Sequence, residues 1–407
     1  MEEWKEYKAI DFCQNVTDGT HDSPKPKDEG HYLITSKHLK DGYIDFSTAN
    51  KISEDDYQKI IQRSKVEQYD ILYSMIGTIG NICQVVDDRV DFAVKNMGIF
   101  KMGGNQLKSK WLYYWFKTPF SNEYVNSRLA GSTQSYMTLK SLRDFPVYAP
   151  NEEKITKIVN ILSSLDDKIE VNRRINEQLE ELVGALFKSW FVDFEPFKDG
   201  EFVESELGMI PKGWKVGKFT DIVEIKGGGT PKTDIAEYWN GDIPFFTPKD
   251  INDVFCIDTE KNITDLGLLK CSSKLYCKNT VFITARGTVG KVCMAGRNMA
   301  MNQTCYALIG KEKYGQHFIY MQTINIVERM KKKANGAVFS AITTRDFDSE
   351  KIIIPSLDVV NDFLIKIEPL YESILHNQQE ITHLTTLRDT LLPKLMSGEI
   401  DVNEVKI

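Results

Sequence analysis

The side chains best suited to chemistry lie in four polar, basic clusters, and each cluster occurs twice along the chain. The first is Thr17–Lys27, carrying His21, Lys25 and Lys27, matched by Gly227–Thr233 with Thr230 and Lys232, next to Lys226. The second is Thr35-Ser36-Lys37-His38, matched by Thr247-Pro248-Lys249-Asp250. The third is a Gly-Thr-x-Gly turn: Gly77 and Thr78 with Asn81 behind it, and Gly287 and Thr288 flanked by Arg286 and Lys291. The fourth is Arg128–Tyr136, with Ser132, Thr133, Gln134 and Tyr136, set against Lys331, Lys332 and Lys333, with Arg345 nearby. Lys and Arg suit phosphates; Arg, Asn, Gln, Ser and Thr suit base edges in the major groove. Any one cluster also reads as a solvated loop. The glycine turn has a structural reading of its own, because glycine supplies positive φ between strands. Recurrence at matched places with changed side chains is what favours contact with DNA.

Other chemistry finds no support. There is no Gly-x-x-x-x-Gly-Lys-Ser/Thr loop; Gly287-Thr288-Val289-Gly290-Lys291-Val292 lacks the leading glycine and the hydroxyl. The chain has no Asn/Asp-Pro-Pro-aromatic string of an amino-methyltransferase, no His-Glu-x-x-His, no metal-spaced Cys/His cluster and no Gly-x-Ser-x-Gly elbow. The histidines at 21, 31, 38, 317, 376 and 383 do not recur between the halves. The expectation is a protein without catalytic residues, metal or cofactor of its own.

Composition bounds the rest. With 407 residues, 42% of them hydrophobic, the chain can bury two or more cores. No apolar run approaches the length that spans a bilayer, and Met1-Glu2-Glu3-Trp4-Lys5-Glu6 does not read as a signal peptide. Seven cysteines without a Cys-x-x-Cys pair suit free thiols in a reducing cytoplasm. The net charge of −7 is unevenly spread: residues 150–208 carry −7 and 356–407 carry −5, whereas 1–149 carry −1 and 212–350 carry +5. The overall sign therefore does not exclude nucleic acid, and the two acidic segments should face something other than phosphate.

These residues sit on a duplicated scaffold. Trp4-Lys5 recurs as Trp214-Lys215 and Gly77-Thr78 as Gly287-Thr288; later Gly131 matches Gly336, Thr138 matches Thr343 and Pro150 matches Pro355. In each half, about 150 residues of short β-branched and aromatic runs predict a mixed α/β globule. Examples are the runs Ile71–Ile76 and Thr280–Thr284, with helices near Lys110–Val125 and Gln316–Lys332. A proline then opens a long heptad helix. The first seam is Ile155, Ile158, Leu162, Leu165, Ile169, Asn172, Asn176, Leu179, Val183, Leu186 and Trp190. The second is Val360, Phe363, Ile367, Leu370, Ile374, Asn377, Ile381, Leu384, Arg388, Leu391 and Leu395. Asn172 and Asn377 share one seam position, where a buried polar residue paired with its repeat partner or with another seam group would fix register at a cost in stability; the alternative is that both are exposed and the seam is interrupted. Arg388 stands where the first copy has Val183, which counts against strict two-fold packing there. The expected layout is a globule over 1–150, a helix over 151–192, a linker over 193–212, a second globule over 213–355, a helix over 356–400 and a tail over 401–407.

The string Leu391-Leu392-Pro393-Lys394-Leu395-Met396-Ser397-Gly398-Glu399-Ile400 closely resembles the end of the C-terminal conserved helix of type I restriction-modification specificity subunits. Ile161-Leu162-Ser163-Ser164-Leu165-Asp166-Asp167-Lys168-Ile169, continuing through Asn172 to Leu186-Phe187-Lys188-Ser189-Trp190-Phe191, resembles that family's central conserved region. The Gly-Thr-x-Gly turns look like those near the heart of its target-recognition domains. The resemblance implies an α+β fold: two α/β target-recognition domains in pseudo-two-fold repeat, separated by two long antiparallel coiled-coil helices. It also implies that each domain reads one half of a split, asymmetric site in double-stranded DNA. The helices set the interval and dock two methyltransferase subunits, and restriction subunits complete the complex. S-adenosylmethionine, ATP and magnesium then belong to those partners. Three alternatives stay open. They are the specificity subunit of a system with a fused methylase-nuclease polypeptide, a coiled-coil scaffold without DNA contact, and a nuclease with an unfamiliar site.

Overall fold

The computed structural model describes residues 4–40, 42–130, 135–311, 313–333 and 341–403. The chain forms two compact units, Met1–Asp167 with Leu384–Ile407, and Lys168–His383. The division runs through both long helices, so each unit holds one globule and a stretch of each helix.

In the first unit a four-stranded antiparallel sheet has the order Asn15–Asp18, Met97–Lys101, Ile71–Ser74, Ile82–Gln84. A three-stranded sheet places His31–Ile34 between Asn50–Ile52 and Phe92–Val94, the latter pairing parallel. Lys5–Lys8 pairs with Pro146–Ala149 and closes the globule beside the helix that follows. The second unit repeats this wiring. Val223–Gly227, Cys305–Gly310, Val281–Thr284 and Val292–Ala295 are neighbours in the same order, extended by Phe255–Cys256. Asn262–Ile263, Trp239–Phe246 and Ala300–Met301 form the small sheet, and Lys215–Lys218 pairs with Lys351–Ile354. The duplication read from scattered residues is thus a duplication of strand order.

The helix expected near Lys110–Val125 is two helices, Gln106–Phe116 and Pro119–Arg128. Thr118 separates them: its hydroxyl accepts from the Ser121 amide at 3.3 Å, and Pro119 sits at the first helical position, where its missing N–H costs nothing. Trp111 and Trp115 are buried beneath and donate to the carbonyls of Tyr148 and Pro146, tying the first helix to the closing strand. The matching helix in the other unit is the single run Gln316–Lys333. The stretch expected as a linker holds a hairpin, Phe202–Ser205 against Gly208–Pro211.

The long helices are Glu152–Phe191 and Leu357–Ser397. Asn151 caps the first through the Lys154 amide at 3.0 Å; Gly398, at φ +78°, ends the second. Pro369 lies inside the second helix, on its exposed face, where water can take the carbonyl its missing N–H leaves unpaired. Within each unit the two helices run antiparallel against each other. Ile155, Ile158 and Leu162 pack with Leu392, Leu395 and Met396 in the first unit's core. Val183 packs with Val360, Phe363 and Ile367 in the second's. Past Val183 the buried positions become Phe187 and Phe191, four residues apart, and Leu186 and Trp190 are only half-buried. Both rings touch Phe363 of the second helix and Phe318 of the globule, so the apolar stripe here serves both.

The matched asparagines do not meet. Asn172, fully buried, donates to Glu380 at 2.7 Å, whereas Asn377 donates to Asn176 at 2.9 Å, and Asn176 reaches the Ile374 carbonyl at 3.3 Å. Antiparallel pairing sets each residue opposite a different one from its repeat partner, so a shared heptad position did not imply a shared contact.

Candidate nucleic-acid interface

In the first globule three of the loop clusters are joined in sequence by backbone and side-chain hydrogen bonds. Thr20 bridges Lys95 at the end of Phe92–Val94, and the Lys95 amide donates to Ile34, just before Thr35. Thr78 then reaches the Ser36 carbonyl at 3.5 Å, and Asn81 reaches that of Leu39 at 3.3 Å. Ile76 bridges Tyr136, which brings in the fourth. The second globule joins its loops through the turn after Ala300–Met301. The Gly229 amide donates to Met301, that of Asn302 to Phe246 before Thr247, and those of Ala285 and Arg286 to Thr304. Arg286 bridges Ala341, and the Lys331 ammonium approaches the Gly290 carbonyl at 3.5 Å. Sequence-distant polar loops thus meet on one continuous surface of each globule.

Backbone geometry explains the glycines. A Cβ on Gly19 would lie 2.2 Å from the Val94 carbonyl oxygen, and one on Gly228 2.1 Å from that of Asn302, so only glycine lets the first loop approach the sheet. Gly77, Gly80, Gly287 and Gly290 all have φ between +77° and +92°, the conformation expected of turn glycines.

Side chains divide by what already holds them. Thr35 and His38 close a capping box around a short 3-10 turn: the Thr35 amide donates to His38 Nδ1 at 2.9 Å. His38 is buried, and burial, helped by the Lys37 charge, lowers its pKa and keeps it a neutral acceptor. Thr247 is held identically by Asp250 at 2.7 Å. These residues shape the loop, and Ser36, Lys37 and Lys249 are the ones it presents, Lys249 with Glu260 at 3.8 Å. His21 bridges Asn96 and Asp18. Lys25, Lys27, Lys232, Arg286, Thr288, Lys291 and Lys332 are exposed, as are Gly77, Thr78 and Thr230. Lys333 is bound to the buried carboxylate of Glu350 at 2.6 Å. Arg128 lies over the Tyr124 ring. The structure does not bring Arg345 to the cluster: it lines a cleft with Thr220 and Lys311 at the far ends of Val223–Gly227 and Cys305–Gly310. Ser132, Thr133 and Gln134 fall outside the described residues.

Sequence reading missed Lys95-Asn96 and Asn302-Gln303, the turns on which the first loops rest. The available signal was a polar pair between two apolar runs; in the structure Asn96 turns there at φ +54°. Among the described residues no group of three or more His, Cys, Asp or Glu side chains could hold a metal ion. No helix among them is long and apolar enough to cross a membrane.

The family model described as type I restriction modification DNA specificity domain matches residues 1–181 and again residues 211–386. The chain belongs to this family. Each match spans one globule and part of the helix after it, as the duplicated wiring requires. Among specificity subunits, the MjaIX subunit of Methanocaldococcus jannaschii is 32% identical over 73% of this chain and 70% of its own. The HindI subunit of Haemophilus influenzae is 26% identical over 98% and 100%. The fold matches the crystal structure of a type I restriction-modification S subunit from M. genitalium at TM-score 0.61 and 15% identity, covering 97% of this chain and 96% of that one. That S subunit thus shares this chain's fold.

Proposed function

We propose that each globule of this specificity subunit reads one half of a bipartite, asymmetric site in double-stranded DNA through its joined loops. The observation that carries this is the repetition of one loop chain on one strand order with unlike side chains: His21, Lys25 and Lys27 in one copy, Thr230 and Lys232 in the other. A duplicated enzyme site would keep its reactive groups. A pair of reading surfaces keeps the frame and changes the contacts. The two long helices set the interval between half-sites and dock two methyltransferase subunits, a role their acidic character suits better than phosphate contact. Restriction subunits join that complex. The chain contributes no catalysis. S-adenosylmethionine, ATP and magnesium act on the partner subunits, in the cytoplasm.

Quantitative binding to duplexes carrying the site tests this. Affinity should fall steeply and linearly on a log–log plot against salt, and should exceed affinity for scrambled duplex by about 10³-fold or more. Cleavage by the purified chain with magnesium would instead support a nuclease, and binding to protein partners without duplex affinity at low salt would support a scaffold.

A further inference from the structure

In both globules the turn that sequence reading missed carries an amide side chain held from the first polar loop. Asn96 follows Phe92–Val94 by two residues, as Gln303 follows Ala300–Met301. The frame beneath is pinned in both copies: the Thr20 amide donates to Val94 at 3.0 Å and the Asn96 amide back to Thr20 at 3.0 Å, while the Gly229 amide donates to Met301 at 3.0 Å. Asn96 Oδ1 and His21 Nδ1 are 2.8 Å apart, and His21 Nε2 lies 3.0 Å from the buried carboxylate of Asp18. In the other copy the Thr230 hydroxyl donates to Gln303 Oε1. Two chains of unlike sequence thus fix the same functional group at the same point of the fold.

The geometry points to Asn96 and Gln303 as the base-reading residues of the two domains, each selecting an adenine in its own half-site, with His21 as the positioning residue for Asn96. This rests on the recognition reading above and names the contact within it. Asp18 accepts from Nε2 of His21, and in the tautomer that carries its proton on Nε2 the Nδ1 atom is an acceptor. A half-turn of the Asn96 amide then sets one Nδ2–H on Nδ1; oxygen and nitrogen ends are interchangeable by such a turn. The carbonyl oxygen and the other N–H are left side by side, the pair that meets N6 and N7 of adenine. Gln303 is exposed, and Thr230 takes one lone pair of its oxygen, leaving the same donor–acceptor edge. Lys95, which contacts Ser23, supplies a cation on the same turn for a flanking phosphate.

The test is selection from a random duplex library with the full-length chain assembled with its methylation subunits, in the wild type and in Asn96→Ala, Gln303→Ala, His21→Ala and His21→Gln. Asn96→Ala should lose preference for adenine at one position of one half-site, by about ten- to a hundredfold, and leave the other half unchanged. Gln303→Ala should do the same in the other half. His21→Ala should relax the position that Asn96→Ala relaxes, and His21→Gln, which can still accept from the amide, should restore it. The assignment is overturned if the alanine variants select the wild-type sequence, lose affinity equally for all sequences, or relax a position other than adenine. Absence of any sequence preference in the wild type would instead defeat the recognition reading itself.

Discussion

Arg388 donates to Asp166 at 2.6 Å, joining the two long helices within the first unit, and Tyr114 donates to the other oxygen of the same carboxylate at 2.7 Å. One acid therefore ties globule, first helix and second helix together. Arg388 fills the heptad position that buried Val183 fills in the first copy, so the seam does not repeat its packing there. Its side chain is 13% exposed, and Asp166, with Asp389 beside it, outweighs burial to hold its pKa further up. Asp166→Ala leaves this cation with Asp389 alone and takes the acceptor from Tyr114, and should cost about 1.5–3 kcal/mol, read as a lower denaturation midpoint. Arg388→Met combined with Asp166→Leu should cost much less than the two single losses together. Additive losses would show that the pair is uncoupled.

His317 gives the second unit an acid-sensitive point. It stacks on Tyr371 with ring centroids 4.7 Å apart, and burial, reinforced by Lys278, pushes its pKa down to about 4. Glu368, 3.8 Å away, is too distant to hydrogen-bond it. Because the folded value is depressed, the contribution is complete above the unfolded value of about 6.5 and is lost as pH falls from there towards 4. The loss amounts to about 3 kcal/mol across that window. His317→Phe, which keeps the stack, should flatten the decline between pH 6.5 and 4 seen by denaturant titration. An unchanged slope would assign the acid sensitivity elsewhere.

The turn glycines should differ in cost between copies. Gly80, at φ +92°, would place a Cβ no closer than 3.7 Å to the Tyr73 hydroxyl; Gly290, at φ +77°, would place one 3.1 Å from Val327 and 3.3 Å from Lys331. Gly80→Ala pays for the left-handed backbone alone, about 1–2 kcal/mol. Gly290→Ala adds crowding and should be the less stable in parallel thermal unfolding. Equal midpoints would contradict this.

The helices should act as a spacer. Seven residues added to both helices at matched heptad positions lengthen each by about 10 Å. The interval between half-sites should then grow by about three base pairs. A folded variant that keeps the wild-type interval would refute the spacer role.

Much of this architecture was legible in the residues. The prolines at 150 and 355, the heptads and the offset Gly-Thr strings marked two copies of globule plus helix, because duplication preserves spacing where side chains change. The seam contacts were not legible: Asn172 meets Glu380 and Asn377 meets Asn176, since heptad position says which face is buried and not which residue lies opposite. The loops were only half legible. Lys25 and Lys249 are exposed, but His38 and Thr247 are spent on capping turns, and Arg345 lies at the far end of the sheet from its cluster. Asn96 and Gln303 escaped notice because their contacts with His21 and Thr230 cross 75 and 73 residues of chain, a separation only strand pairing closes.

The central claim, that each globule reads its own half of the site, is tested most directly by replacing residues 1–149 with the corresponding domain of another specificity subunit and sequencing the methylated positions in host DNA. The account predicts that one half of the recognised sequence changes to the donor's and the other half stays. A replacement that alters both halves, or neither, would contradict it.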